Sequence, residues 1–343
     1  MPLDELQYTY LNFIDQMTIL YGESKTGKST IIIDILHHLN NHVDQIIVYA
    51  PTDRSNDTYQ SGVVPMPCIH YEVNVKTLED LYERQEALTL VYKRANAPHV
   101  IDGLIAKIND ARTNKVLSEL NAVRDKAVAE ICKTTEGVVA EQQISALTDR
   151  HNRYVASFKK ALIERHKAKL LNGATDDERH AIKYLHLNPR IVVIFDDCTE
   201  QLDKIKREPI MQKFAYQGRH QFITTIIAIH TDKNLDPAFK KNAMNCIYTE
   251  ESCMMAYIDR PSNSFGKDAR RAAFDAMKSA FTPLAKFQKL IWVREDKKYY
   301  RFTAQKHPNF SFGSPLLWEY CKSIQAKGGA SESNNKFISN LLK

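Results

Sequence analysis

The sequence predicts an α/β fold in which a mostly parallel central sheet is interrupted by a long helical insertion. Short apolar runs that suit buried strands alternate with helical patterns over residues 1–76 and again over residues 187–325. Between these parts, residues 77–186 hold few glycines and prolines, and apolar residues recur there at helical intervals. We therefore expect a two-part core, a helical insertion, and a polar, flexible tail over residues 326–343.

The composition is that of a globular protein without a membrane span. The 343 residues are 43% hydrophobic and 26% charged, which is enough to bury a sizeable core. No apolar run approaches the roughly 20 residues of a membrane-spanning helix, and the acidic N-terminus lacks the positive charge of a signal peptide. The net charge of +6 permits a polyanionic partner, but the basic residues are mostly interspersed with acids, as on an ordinary solvated surface. The six cysteines do not have the spacing of zinc ligands. Because the sequence predicts neither a signal peptide nor a membrane span, we expect a protein of a cytosol-like compartment.

A glycine-rich loop lies between a predicted strand and a predicted helix near the N-terminus. Residues 17–21 form a short apolar run, residues 22–29 read Gly-Glu-Ser-Lys-Thr-Gly-Lys-Ser, and residues 30–39 place apolar side chains at helical spacing. The loop satisfies the G-x-x-x-x-G-K-[ST] pattern of phosphate-binding loops at every fixed position, in the strand–loop–helix context that the pattern requires. We therefore predict a P-loop NTPase.

The chemistry of this loop requires these residue types at this spacing. The two glycines let backbone N–H groups surround phosphate oxygens, and the following helix adds the positive end of its dipole. Lys28 can reach the β- and γ-phosphates, and the Ser29 hydroxyl can bind Mg²⁺. The expected cofactors are ATP and Mg²⁺. The residues expected to bind the nucleotide are Gly22, Glu23, Ser24, Lys25, Thr26, Gly27, Lys28, Ser29 and Thr30.

An acid pair follows a second apolar run in the later part of the core. Residues 191–195 are all apolar, and Asp196 and Asp197 come directly after them, which is the Walker B pattern. A fully buried parallel strand of this kind delivers its last side chains to the carboxyl edge of the sheet, where ligands bind. We expect Asp196 to hold the Mg²⁺ shell and Asp197 to orient or deprotonate the attacking water. A second acid here is typical of the RecA-like additional-strand branch of P-loop proteins.

Polar residues beside two other predicted strands are further candidates. The strand at residues 45–50 is followed by a polar loop, 51–59, which either borders the ligand site or is a plain surface turn. His230 ends the β-branched run 222–229 and is either a catalytic sensor of the γ-phosphate or an ordinary histidine at a strand end. Arg219 precedes that run. It either stabilises phosphate charge, in its own subunit or across a subunit boundary, or makes a surface ion pair.

Two apolar stripes predict that the insertion consists of long antiparallel helices. The insertion also carries a basic run, which either forms a DNA-gripping or partner-docking arm or only keeps a helical hairpin soluble. The first stripe contains Val116, Leu120, Val123 and Ile131; the second contains Ile144, Leu147, Tyr154, Phe158 and Leu162; the basic run contains Lys159, Lys160, Arg165, His166, Lys167 and Lys169.

The C-terminal part of the core mixes basic and aromatic residues. It either contacts phosphate or completes the edge of the sheet. Residues 297–304 alternate like a strand, which favours completion of the sheet.

Taken together, these motifs resemble the FtsK–HerA group of motors, and within it the poxvirus-type genome-packaging ATPases of large cytoplasmic DNA viruses. The resemblance covers residues 15–75 and 188–260. Besides the P-loop and the acid pair, it is carried by Pro51, Thr52, Asn56, Tyr59, Val64 and Pro65 in and after the polar loop, by Gly218, Arg219 and His220, and by Lys241 and Asn242.

Two positions depart from the pattern of that family. It usually has glutamine where this chain has His230, and arginine followed by asparagine where this chain has Lys241 and Asn242. Because lysine lacks the planar fork of arginine, the role of an arginine finger falls rather on Arg219.

The resemblance implies an ATP-driven motor that translocates viral double-stranded DNA into the capsid during genome packaging. It also implies a homo-oligomeric ring with ATP sites at subunit interfaces, and viral capsid or portal proteins as partners. The implied location is the host cytoplasm, at the viral factory, and the virion. Two other functions of the same P-loop core stay open: a nucleotide-dependent switch or scaffold, and a DNA helicase.

Overall fold

The computed structural model describes residues 3–108, 110–135, 137–230, 235–263, 265–281 and 288–327. The chain forms two units, Met1–Ala87 together with Pro189–Lys343, and Leu88–Asn188. From residue 328 onward, the tail expected from the sequence lies outside the described residues. Within the described ranges, no helix combines the length and the apolar character that crossing a membrane requires.

The described part of the first unit contains an eight-stranded sheet. Its strands are β1 (Met17–Tyr21), β2 (Gln45–Tyr49), β3 (Ile69–His70), β4 (Ile191–Asp196), β5 (Ile223–Ile229), β6 (Asn245–Tyr248), β7 (Lys289–Val293) and β8 (Lys298–Phe302). Their order across the sheet is β3-β2-β4-β5-β1-β6-β7-β8, and the pairs from β3 to β6 are parallel. The predicted α/β class with a mostly parallel sheet is therefore confirmed.

Strand β5 lies between β1, which leads into the P-loop, and β4, which ends in the acid pair. It runs parallel to both, and the register places Tyr21 beside Ile229 and Asp196 beside Ala228. This is the additional-strand arrangement that the second acid predicts. All three strands therefore end at one edge of the sheet, and the residues that follow them meet there.

Strands β7 and β8 complete the other side of the sheet. β7 pairs antiparallel with β6, and β8 pairs antiparallel with β7. Residues 298–302 form a strand, as their alternation predicts, and the ring of Tyr299 packs against that of Trp292 with 4.7 Å between the centroids. The prediction that this stretch completes the sheet is confirmed.

The α-helices lie between the strands along the chain and after the last strand. They are α1 (Lys28–Leu39), α2 (Asp53–Asn56), α3 (Val75–Ala95), α4 (Pro98–Ile108), α5 (Ala111–Thr134), α6 (Gly137–Arg165), α7 (Lys167–Leu171), α8 (Asp176–Lys183), α9 (Thr199–Ile205), α10 (Pro209–Gln217), α11 (Pro237–Asn242), α12 (Glu251–Asp259), α13 (Lys267–Ala280) and α14 (Pro315–Lys327).

The first unit has an apolar core on each face of its sheet, because alternate side chains of a strand point to opposite faces. In β1, Ile19 belongs to one core and Leu20 to the other, and both are fully buried. Helices α1 and α14 pack on the face of Leu20, whereas α10, α12 and α13 pack on the face of Ile19. The sheet is thus held between two helical layers.

The second unit is helical. Helices α5 and α6 form an antiparallel pair, in which His151 Nε2 lies 3.0 Å from Asn121 Oδ1. Leu162 is buried in the small core of this unit and Phe158 packs against it, but Val123 and Tyr154 are 66% and 60% exposed. The stripes therefore predict the helices correctly, but some residues of the stripes are exposed, since a helical pair covers only a narrow seam of each partner.

The basic run of the second unit makes several contacts within that unit. Lys159 Nζ lies 2.7 Å from Asp102 Oδ1, and Lys167 Nζ lies 3.4 Å from Glu164 Oε1. Lys160 lies over the ring of Tyr92, 5.9 Å from its centroid. Three of the six basic residues therefore have partners within the helical unit.

Candidate active site

The P-loop connects β1 to α1 at the carboxyl edge of the sheet. Gly27 precedes α1 with φ of +95°, a conformation that favours glycine. Gly22 is required for a different reason, because a Cβ at this position would lie 2.0 Å from Thr249 Oγ1. The first glycine thus lets the end of β6 approach the loop closely, and the second allows the turn into the helix.

Lys28 is 7% exposed and is surrounded by oxygen atoms. Its Nζ donates hydrogen bonds to the carbonyl oxygens of Gly22 and Glu23, at 2.8 and 3.0 Å, and lies 4.0 Å from Asp197 Oδ1. A buried ammonium group needs such partners, because removing a charge from water is costly. The same group can exchange carbonyl oxygens for phosphate oxygens.

Asp196 is the last residue of β4 and is 8% exposed. Burial raises the pKa of its carboxyl group to about 6, while a hydrogen bond from Tyr59 opposes the rise. The hydroxyl of Tyr59 donates to Asp196 Oδ2 at 2.9 Å. A desolvated carboxylate of this kind favours a nearby cation.

Asp197 directly follows β4 and has a left-handed backbone conformation, with φ of +55°. Aspartate tolerates this conformation better than most residues do. Its Oδ1 lies 2.9 Å from Nε2 of His230, the residue that follows β5. Thr52 donates a hydrogen bond to Oδ2 at 3.5 Å. The structure therefore brings together Lys28, Asp197 and His230, which the sequence analysis names as candidate catalytic residues.

The polar loop after β2 borders the site and is not a plain surface turn. Asp53, which is 2% exposed, accepts hydrogen bonds from the backbone N–H groups of Tyr59 and Gln60, at 2.9 and 3.2 Å. Gln60 also donates from its side chain to the carbonyl oxygen of Asp53 at 2.8 Å. These hydrogen bonds fold the loop back on itself and place Tyr59 beside Asp196.

A cavity of about 470 Å³ lies between the P-loop, the polar loop and the acid pair, within the usual size range of small-molecule sites. The hydroxyl of Ser29 and the carboxylates of Asp196 and Asp197 supply oxygen donors that suit Mg²⁺. The cavity is lined by Ser24, Lys25, Gly27, Lys28, Ser29, Thr30, Ala50, Thr52, Asp53, Asn56, Thr58, Tyr59, Asp196 and Asp197.

A second set of contacts supports the P-loop from the side of β6 and β7. The N–H of Glu23 donates to Glu250 Oε1 at 3.1 Å, and Thr249 Oγ1 donates to Thr26 Oγ1 at 2.8 Å. Lys289 Nζ donates to the carbonyl oxygens of Thr26 and Thr249, at 2.8 and 3.1 Å, and burial lowers its pKa. Sequence reasoning includes Lys289 among the basic residues of the C-terminal part but does not predict its contact with the P-loop, because 263 residues separate it from Thr26 and it lies in no motif.

Arg219 lies at the opposite, amino edge of the sheet. It is exposed in a short 3₁₀ turn, Gly218–Gln221, before the seven-residue strand β5. A strand of that length spans about 20 Å. Asn242, the last residue of α11, lines the same small cavity as Arg219. The structure therefore does not bring Arg219 to the P-loop of its own chain. Of the roles predicted for Arg219, charge stabilisation across a subunit boundary and a surface ion pair remain.

The P-loop after β1, the inserted strand β5 and the acid pair after β4 define the fold of a P-loop NTPase. The chain belongs to the family of the uncharacterized protein B354L of African swine fever virus. It is 30% identical over 357 residues to B354L of isolate Pig/Kenya/KEN-50/1950 and to that of isolate Tick/Malawi/Lil 20-1/1983, covering 98% of this chain and 96% of each relative. The uncharacterized protein L437 of Acanthamoeba polyphaga mimivirus is 33% identical over 75 residues, which are 22% of this chain and 26% of L437. No protein-family model matches the chain.

Similar solved structures include a viral genome packaging NTPase and a conjugation coupling protein. One is the genome packaging NTPase B204 from Sulfolobus turreted icosahedral virus 2 with ATP-gammaS, at a TM-score of 0.38 and 13% identity, covering 84% of this chain and 96% of B204. B204 is also solved with AMP and with AMPPCP. Another is the pCW3 conjugation coupling protein TcpA with ATPgS, at a TM-score of 0.40 and 14% identity, covering 86% of this chain and 61% of TcpA.

Proposed function

We propose that the chain is an ATP-driven motor that translocates viral double-stranded DNA into the capsid during genome packaging. The observation that supports ATP hydrolysis is the meeting of Lys28, Asp196 and Asp197 around one cavity beside the P-loop. A phosphate-binding lysine, a metal-binding carboxylate and a second carboxylate for water are what phosphoryl transfer to water requires.

Each residue of the site has a role in this proposal. The N–H groups from Gly22 to Thr30 and the ammonium group of Lys28 would bind the phosphates. Ser29 and Asp196 would hold Mg²⁺, which supplies charge neutralisation beside the β- and γ-phosphates. Asp197 would accept the proton of the attacking water, and His230, 2.9 Å away, would orient that carboxylate and sense the γ-phosphate.

The motor function rests on sequence features outside the P-loop. The polar loop with Asn56 and Tyr59 and the turn with Arg219 resemble those of packaging ATPases. In a homo-oligomeric ring, an exposed Arg219 at the amino edge would reach the ATP site of a neighbouring subunit and act there as a charge stabiliser. Capsid or portal proteins would be the partners. The host cytoplasm and the virion would be the location, in keeping with viral relatives.

The test is steady-state ATP hydrolysis by the purified chain, with and without long double-stranded DNA, over a range of salt. We expect DNA to stimulate hydrolysis and the stimulation to fade as salt rises, because contacts with the phosphate backbone release counterions. Hydrolysis that is indifferent to DNA while nucleotide controls binding of a protein would instead support a switch or scaffold. Strand displacement on a forked substrate would support a helicase.

A further inference from the structure

We propose that Tyr59 is a positioning residue that fixes the Asp196 carboxylate in the orientation that binds Mg²⁺, an inference that rests on the proposed nucleotide site. The Tyr59 hydroxyl donates to Asp196 Oδ2 at 2.9 Å, and the two residues are 137 positions apart in the chain. Tyr59 is fully buried and Asp196 is 8% exposed, so little water competes for this hydrogen bond.

The ring and the backbone of Tyr59 are both held in place, and this fixes the position of the hydroxyl. The ring is part of the apolar core on the α1 face of the sheet, together with Val64 and Ile69. The backbone N–H of Tyr59 donates to the buried carboxylate of Asp53 at 2.9 Å. Because both the ring and the backbone are anchored, the hydroxyl has little freedom to follow a moving carboxylate.

A fixed donor of this kind selects one orientation of the aspartate. The last torsion of an aspartate side chain is broad and roughly two-fold, so β4 by itself does not set the plane of the carboxylate. Tyr59 engages Oδ2, which leaves Oδ1 of Asp196 to bind a cation. Hydrogen bonds that orient a metal-binding carboxylate change metal affinity by about 10- to 100-fold when they are removed.

The chain offers a matched pair of tyrosines for the experiment. Tyr59→Phe removes only the hydroxyl that contacts Asp196. Tyr82→Phe makes the same change at another fully buried tyrosine, whose hydroxyl donates to Gln217 Oε1 at 3.2 Å in the opposite core. Any general cost of deleting a buried tyrosine hydroxyl should therefore appear in both variants.

The readout is binding of a fluorescent, non-hydrolysable ATP analogue over a Mg²⁺ titration, with each series repeated in EDTA. We expect Tyr59→Phe to raise the Mg²⁺ concentration for half-maximal binding by about 10- to 100-fold. In EDTA its affinity for the analogue should stay within about twofold of wild type, as for a change that acts through the metal. Tyr82→Phe should match wild type in both series.

Two results would overturn the inference. One is a Mg²⁺ midpoint for Tyr59→Phe equal to that of Tyr82→Phe; the other is an equal loss of affinity with Mg²⁺ and in EDTA, which a purely structural role would produce. If Tyr59→Phe does not fold, Asp53→Asn is the second variant, and it should shift the midpoint in the same direction. Wild-type protein that binds no analogue would refute the proposed function itself, whereas Mg²⁺-dependent binding by wild type and an unchanged Tyr59→Phe midpoint would refute only the role of Tyr59.

Discussion

Two groups of charged residues, at opposite edges of the sheet in the first unit, differ in their burial. At the carboxyl edge, Lys28, Asp53 and Asp196 are all less than 9% exposed and are joined to their surroundings by contacts within the chain. At the amino edge, Arg219 and Lys241 are exposed. The buried charges at the first edge have partners within the chain and border the cavity, while Arg219 and Lys241 at the second edge are open to solvent. Substitutions at the two edges should therefore have different effects on ATP hydrolysis and on stability.

The largest effect is expected at the carboxyl edge, for Lys28→Ala. The substitution removes the cation that reaches the phosphates and leaves the carbonyl oxygens of Gly22 and Glu23 without its hydrogen bonds. We expect kcat/KM for ATP to fall by about 10³-fold or more. Steady-state hydrolysis and calorimetric nucleotide binding measure it, and binding with wild-type affinity would contradict the role of Lys28.

Asp197→Asn should separate binding from hydrolysis at the same edge. Asparagine tolerates the left-handed backbone at this position, so the loop should keep its shape. We expect kcat to fall by about 10²- to 10³-fold, as for loss of a general base, with nucleotide affinity within about threefold of wild type. A variant that hydrolyses ATP at the normal rate would show that another group activates water.

Arg219→Ala tests the amino edge and should reduce kcat by about 10²-fold, the effect of removing one stabilising donor. If Arg219 acts on a neighbouring subunit, mixing the Arg219→Ala variant with the Lys28→Ala variant should restore part of the ATPase activity. One subunit then supplies an intact P-loop and its neighbour an intact Arg219. Two inactive variants that stay inactive on mixing, while they co-assemble in light scattering, would argue against a role across the boundary.

A pH dependence of stability should distinguish the edges without any substrate. Because burial raises the folded-state pKa of Asp196 to about 6 from an ordinary 3.8, ionised Asp196 destabilises the native state, and stability falls as pH rises between these values. In EDTA at pH 8, Asp196→Asn should raise the free energy of unfolding by about 3 kcal/mol, and the gain should vanish below about pH 4. Denaturant unfolding measures it, with Arg219→Ala as the control that should show no such gain.

The sequence predicts the carboxyl edge in part, for a physical reason. Strands β1, β4 and β5 are buried on both faces, so each is a nearly continuous apolar run, and the residues after each run must meet at one edge. By contrast, β3 has only two residues and leaves no such pattern.

Contacts between distant residues leave no trace in a single sequence. The bonds of Tyr59 to Asp196 and of Lys289 to Thr26 join residues 137 and 263 positions apart, and no local spacing encodes either pairing. In the helical unit, the period of the stripes predicts helices, but exposed Val123 and Tyr154 reveal that the period does not state how much of a stripe a partner covers.

The close approach of Gly22 to Thr249 has a consequence for how this family can vary. Even an alanine at position 22 would place a methyl carbon 2.0 Å from Thr249 Oγ1 and 2.6 Å from Thr26 Oγ1, so these side chains would have to move or become shorter. Positions 22 and 249, which directly follow the neighbouring strands β1 and β6 and lie far apart in the gene, should therefore mutate together. In a genetic selection, a chain with alanine at 22 should regain function through changes that shorten the side chains at both 249 and 26.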